Sequence, residues 1–405
     1  MINGADTAWL MISSALVLLM MLPALGFFYA GLVQAKNILS VLFQTFAIAA
    51  IVSLMWFAFV YSEAFSGSGA WIGDLKAMFL QHLPRDAVHP GTSIPESVFV
   101  MFQMTFAIIT PGLIIGAYVE RIKFGAVMLF SALWLVLVYA PVCHWVWGGG
   151  YFGQLGAMDF AGGIVVHLTA GISALLAAAM LGPRHGFPHS VQPPHAPWMV
   201  MVGAAFLWVG WFGFNAGSAL KAGSDAGMTM LATHLAAATA TCVWIAVEWI
   251  KFGKPSLVGA VTGAVAGLAT ITPASGYVGP LGAVFLGAAG GLVCYGAVHV
   301  VKRMWKVDDA LDVLGVHGVG GALGSLLVPF AVGLGVGGTT LARPVLAQFG
   351  VQLETVIVTG LWSAAATFVI IKLTKAVAGW RIDREQEIQG LDFSSHGETG
   401  YNMNG

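Results

Sequence analysis

Two histidines lie inside glycine-rich apolar stretches, His167 in GGIVVHLTAG and His317 in VLGVHGVGGALG. Each follows an aspartate by eight residues, Asp159 before His167 and Asp309 before His317. Burying an ionisable side chain in a membrane-length segment is costly, so such a residue marks a pathway, a relay or a cofactor. A pair repeated in two halves of one chain points to a single site where the halves meet. Imidazole can donate at one nitrogen and accept at the other, which suits hydrogen bonding and proton handling in a pore. Haem ligation, metal ligation and a packing role bonded to a backbone carbonyl fit the same two residues.

The surrounding residues narrow this only in part. Asp159 opens MDFAGG at the mouth of its segment, where a carboxylate caps the helix and favours a cation nearby. Asp308, Asp309 and Asp312 read as surface and capping residues at the opposite side. Phe102 and Phe106 fall one helical turn apart in VFVMFQMTF, Trp147 ends HWVWGGG, and Trp211, Phe212 and Phe214 crowd WFGFNAGS with Ser218 beyond. An interfacial aromatic belt accounts for part of this. Aromatic faces beside a hydroxyl and a carboxylate also make a cation-recruiting mouth, with tryptophan the best cation–π partner.

The elements that must position these residues are membrane spans. Of 405 residues, 58% are hydrophobic and only 9% charged, against about 25% charged in a soluble domain. The chain reads as one polytopic membrane domain, residues 1–379, followed by a charged tail, residues 380–405. A net charge of −1 gives no nucleic-acid footprint. Cys143, Cys242 and Cys294 are widely spaced and suit small buried hydrophobes rather than a metal cluster. The first apolar run has no basic region before it and reads as a retained helix, not a signal peptide.

Eleven spans are expected, at 8–33, 38–61, 97–119, 124–143, 159–182, 197–220, 227–250, 255–272, 279–301, 312–335 and 351–375, with 255–272 the weakest because it is short and small-residue-rich. Thirteen of the 17 lysines and arginines fall on one side if the N-terminus is outside and the C-terminus inside, the pattern of cytoplasmic loops. A polar outer loop covers 62–96. Phe28-Tyr29-Ala30-Gly31 resembles Phe214-Asn215-Ala216-Gly217, and five spans separate each from the histidine that follows it. Five is odd, so the halves have opposite topology: a five-plus-five inverted repeat with a final helix.

Taken in order, FQMTFA (102–107), VWGGG (146–150), DFAGG-x-VVH (159–167), WFGFNAGS (211–218), ITPASGYVG (271–279), DVLGVHGVGG (312–321) and GLD-x-x-SHGE (390–398) resemble the Amt/Mep/Rh ammonium transporter family, nearest its bacterial AmtB-type members. The resemblance runs from about Ala8 to Asn402. It implies an all-α inner-membrane homotrimer with one pore per subunit and no cofactor. It assigns Trp147, Phe106 and Ser218 to an outer ammonium-recruiting site with Asp159 beneath, Phe106 and Phe214 to a stacked gate, and His167 and His317 to a twin-histidine pore surrounded by Phe102, Phe160, Trp211 and Thr272. It implies that the tail, through Arg381, Gly390 and Asp392, couples to a PII-type regulator.

Such a pore explains selectivity. A dry apolar conduit penalises any intact ion, but ammonium can shed its proton and cross as ammonia, whereas potassium cannot. Methylammonium is the expected analogue. A membrane haem protein, a passive channel for another small neutral molecule such as water, urea or carbon dioxide, and an ammonium sensor are the competing readings. Whether a proton accompanies ammonia is open at this stage.

Overall fold

Apolar spans rich in small residues pack as helices because lipid offers the backbone no hydrogen-bond partners. The computed structural model describes residues 1–81 and 83–401, and residues 402–405 of the expected tail lie outside them. Among the described residues the regular structure is all helical, with only isolated bridges besides. Ten helices are long and apolar enough to cross a membrane: α1 (Gly4–Leu32), α2 (Ala35–Phe65), α3 (Glu96–Tyr118), α4 (Phe124–Leu155), α5 (Gly163–Leu181), α6 (Pro197–Gly217), α7 (Ser224–Phe252), α9 (Pro280–Met304), α10 (Leu314–Ala331) and α11 (Val345–Ala378). Between α7 and α9 lies α8 (Leu257–Ile271), an apolar helix of 15 residues. At 1.5 Å per residue α8 reaches about 22 Å, short of the roughly 30 Å hydrocarbon thickness. This is the segment expected to be weakest.

Several buried threonine hydroxyls are satisfied within their own helices. Thr105, Thr110 and Thr169 donate to carbonyls three or four residues back, at 2.6–2.7 Å, which lets polar residues sit inside an apolar bundle without an orphaned group. The expected outer loop is structured. Ser62 and Ser66 bond Asp74 O, His144 lies against Ala64 O and Gly69 O, and Trp71 stacks on Tyr151 at 5.1 Å.

The opposite face corrects the expectation that Asp308 and Asp309 are surface residues: both are buried. Arg184 grips Asp308 through two nitrogens at 2.8 and 2.9 Å and reaches Glu120 at 2.8 Å. Arg121, fully buried, donates to Ala117 O, Val119 O, Gly182 O and Asp308 O. The loops after α3 and α5 and the loop before α10 converge and bring these charges together, and pairing offsets the cost of taking them out of water. Burial pushes the Asp308 carboxyl up, but the hydrogen bonds and charge of Arg184 outweigh it and hold the group below its ordinary value. Burial lowers Arg121 to about 10.

The tail folds against this face. Its helices are α12 (Arg384–Gln389) and α13 (Leu391–His396). Arg381 donates to Leu181 O, Pro183 O and Glu387, and Leu391 N donates to Asn37 Oδ1 at 2.8 Å. Asp392 accepts from Ser40 N at 2.8 Å, capping the first turns of α2 as an acidic group at a helix N-terminus does.

Candidate functional site

Each histidine sits on a π-helical turn, His167 in Gly163–Leu168 and His317 in Leu314–Gly318. Such single wide turns recur at functional sites, where they re-aim a side chain. The aspartate spacing has a structural cause. Asp159 accepts from Gly162 N (3.1 Å), Ile164 N (2.9 Å) and Val165 N (3.0 Å), closing the N-terminus of α5. Asp309 accepts from Leu314 N at 2.8 Å, five residues on, as Asp159 does from Ile164. The two carboxylates are equivalent caps, so Asp309 belongs to the histidine helix rather than to the surface.

Close crossing of α5 and α10 brings the histidines together. A Cβ at Gly171 would stand 2.2 Å from Gly318 Cα, and one at Gly321 would stand 2.3 Å from Gly163 O and 2.8 Å from His167 Cβ. Only glycine permits this approach, the small-residue packing of helices in lipid. Gly321→Ala is therefore expected to destabilise the protein by about 2–3 kcal/mol through overpacking. A lowered thermal midpoint in detergent, with normal expression, checks it; an unchanged midpoint counts against the crossing.

The residues that lead up to the histidines are aromatic. Trp147 Nε1 donates to Asp159 O at 2.8 Å, tying the aromatic mouth to the cap. Phe106 meets Trp147 edge-on at 5.7 Å and Phe102 edge-on at 5.0 Å, and stacks on Phe214 at 4.3 Å and 26°. His167 lies next, 5.9 Å from the Phe214 ring and 5.5 Å from Trp211. Trp211 is fixed by its Nε1 donating to Thr272 Oγ1 at 2.9 Å. The His167 and His317 rings are 5.2 Å apart with their Nδ1 atoms at 3.3 Å. His167 Nε2 is buried and unpartnered.

Beside the pair, Met20, Ile109, Leu113, Leu207 and Val265 line a cavity of about 10 Å³, room for one water-sized molecule. His317 also borders a wider cavity of about 380 Å³ reaching toward the tail face, with Tyr29, Arg184, Lys302, Arg303 and Asp312 on its walls. A stacked phenyl pair, a twin imidazole and a wider cavity thus follow one another.

Phe102, Phe106, Trp147, Asp159, His167, Trp211, Phe214, Thr272 and His317 are joined by these contacts. Ser218 lies one turn beyond Phe214 and donates to its carbonyl at 2.9 Å. Phe160 packs edge-on against Tyr277 at 5.4 Å, its amide bonded to Pro273 O. Phe212 turns instead toward His234. Arg381, Gly390 and Asp392 hold the tail and do not touch the path. The sequence reading missed the aliphatic lining, since a leucine or methionine in an apolar span carries no distinguishing signal. It also missed the Arg184–Glu120 pair, for which the sequence carries no distinguishing signal.

The Ammonium Transporter Family profile matches residues 8–401. The chain belongs to this family. It is 44% identical to the ammonium transporter of Aquifex aeolicus, covering 99% of this chain and 94% of that one. It is 42% identical to the Bacillus subtilis ammonium transporter, covering 98% of both. Among solved structures it resembles a sensor Amt protein, with a TM-score of 0.90 and 30% identity over 97% of this chain and 98% of that one. Saccharomyces cerevisiae Mep2 gives a TM-score of 0.86 and 32% identity over 95% of this chain and 88% of that one. As a family member the chain is a multi-pass membrane protein of ammonium transport.

Proposed function

We propose that each subunit conducts ammonia derived from ammonium ion. The ion is recruited at Trp147, Phe106 and Ser218 and loses its proton near Asp159; that proton follows along the His167–His317 imidazole pair, so that transport carries charge. Ammonia passes the Phe106–Phe214 gate, crosses beside His167 and His317, and is reprotonated at the far side. The observation that carries this reading is the pair of imidazoles, Nδ1 to Nδ1 at 3.3 Å, in an apolar passage with room for one water-sized molecule.

One proton shared between the Nδ1 atoms leaves one Nε2 as acceptor and the other as donor. Ammonia, with N–H donors and one lone pair, can use both, while a bare cation finds no shell of oxygens to replace its water. Haem is disfavoured, because two histidines on one iron need about 4 Å between nitrogens at roughly 2 Å per bond, with a macrocycle between the rings.

The reading includes eleven spans with the N-terminus outside, five-plus-five inverted repeats, and a cytoplasmic tail (380–405) able to meet a PII-type regulator. It places a homotrimer in the cytoplasmic membrane. The positive residues on the tail side and the 15-residue α8 between two long helices support that topology. A second reading, ammonium sensing, is favoured by the likeness to a sensor Amt protein and by the tail docked on the span ends.

Proteoliposomes under an ammonium gradient, recorded electrically with potassium as control, test substrate and selectivity together. Ammonium-driven current with potassium silent supports the proposal. Equal responses, or urea uptake without methylammonium uptake, overturn it.

A further inference from the structure

The turn that leads into His317 repeats the turn that leads into His167, with one change of chemistry. Five residues before each histidine stand Gly162 and Asp312, at φ of +110° and +64°. The carbonyls of both accept from the residue just before the histidine, Val166 N at 3.0 Å and Val316 N at 2.9 Å. Three residues earlier, in each case, stands the capping aspartate. The backbone therefore requires a left-handed residue at the same place in both turns. Glycine meets this without steric cost. An aspartate there carries a steric cost at Cβ that glycine avoids, and strain kept beside a path points toward function.

Asp312 also borders the wide cavity onto which His317 opens. Its Oδ1 lies 2.7 Å from Lys302 Nζ, and its side chain keeps 22% exposure. Arg184 and Arg303 share the cavity wall, while Asp308 and Asp309 act on Asp312 from its own loop. The Gly162 side of the pair carries no side chain at all, so the two ends of the path differ in the presence of this carboxylate.

We propose that Asp312 is the proton-exchange carboxylate at the tail-side end of the path. As ammonia leaves His317, the O–H bond of protonated Asp312 breaks and an N–H bond forms on ammonia. Ammonium departs into the cavity, and the carboxylate, paired with Lys302, takes a proton from a cavity water, whose hydroxide leaves to the solution on that side. Outward flux runs the same steps backward. This rests on the reading of the path as an ammonia conduit.

Asp312→Asn and Asp312→Gly test it. Asparagine tolerates the left-handed region and glycine relieves it, so both preserve the turn while removing the acid. Wild type and variants are reconstituted with uniform orientation, selected through a tag on the tail, and ammonium-driven flux is followed while the pH on each side is varied separately. Both variants are expected to lose about tenfold in flux and to lose their response to tail-side pH, with the response to opposite-side pH intact; Asp312→Glu restores part of both. Wild-type flux with an unchanged tail-side pH profile in the variants overturns the role of Asp312. So does a lowered flux that keeps that profile, which marks a purely structural residue. Absence of ammonium-driven flux in the wild type instead overturns the conduit reading on which the inference rests.

Discussion

Asp159→Ala is expected to abolish ammonium-driven flux, a loss of at least about a hundredfold, and also to weaken the fold. The side chain is buried and accepts three backbone N–H groups at the start of α5. Removing it strands those donors away from water, at about 1–3 kcal/mol for each one left unsatisfied. The mouth loses its anchor too, because Trp147 bonds the Asp159 carbonyl and Phe106 packs on Trp147. Asp159→Asn separates the two roles. One amide oxygen still accepts, but its NH₂ faces donors, and the negative charge is gone. A thermal midpoint closer to wild type, together with flux as low as in Asp159→Ala, is the expected result. An Asp159→Asn protein that conducts normally shows that the charge is not used.

The path residues were legible because their types are costly where they sit. A histidine in GGIVVHLTAG or the aromatic trio Trp211, Phe212 and Phe214 before Ser218 has few uses inside a membrane span, so residue type alone exposed them. Their mutual contacts were legible only through the family resemblance. Residue type alone does not choose Phe214 over Phe212, which shares the same helix and turns toward His234; the family resemblance named the Phe106–Phe214 stack, and the rings do stack at 4.3 Å.

The long apolar helices were readable from hydropathy, and α8 was marked as the weak segment for the reason the structure bears out: it has 15 residues. The tail-side carboxylates were misjudged. Charge in a short loop looks like surface, but α3, the loop after α5 and the loop before α10 converge there. Glu120, Arg184 and Asp308 then pair with one another instead of with water. The equal Asp159–His167 and Asp309–His317 spacings lie at opposite ends of the path. Opposite ends are what inversion of one capped histidine turn produces, and the matching bonds to Ile164 N and Leu314 N carry that comparison.

His167→Ala is expected to remove ammonium-driven current while leaving part of the neutral ammonia flux. The two routes have different needs in this geometry. Ammonia needs a narrow apolar passage, which Met20, Ile109, Leu113, Leu207 and Val265 still supply around His317. A proton needs a chain of groups that can each take and release it. Here the chain depends on the 3.3 Å contact between His167 and His317. With alanine the nearest rings on that side are Phe214 and Trp211. Phenyl offers no proton acceptor, and the indole N–H is a donor only already given to Thr272. Current should therefore fall at least about tenfold more than the alkalinisation caused by ammonia entry into dye-loaded vesicles. Equal loss of both signals would mean that His167 only shapes the passage. Unchanged current would mean that the proton does not travel through the pair.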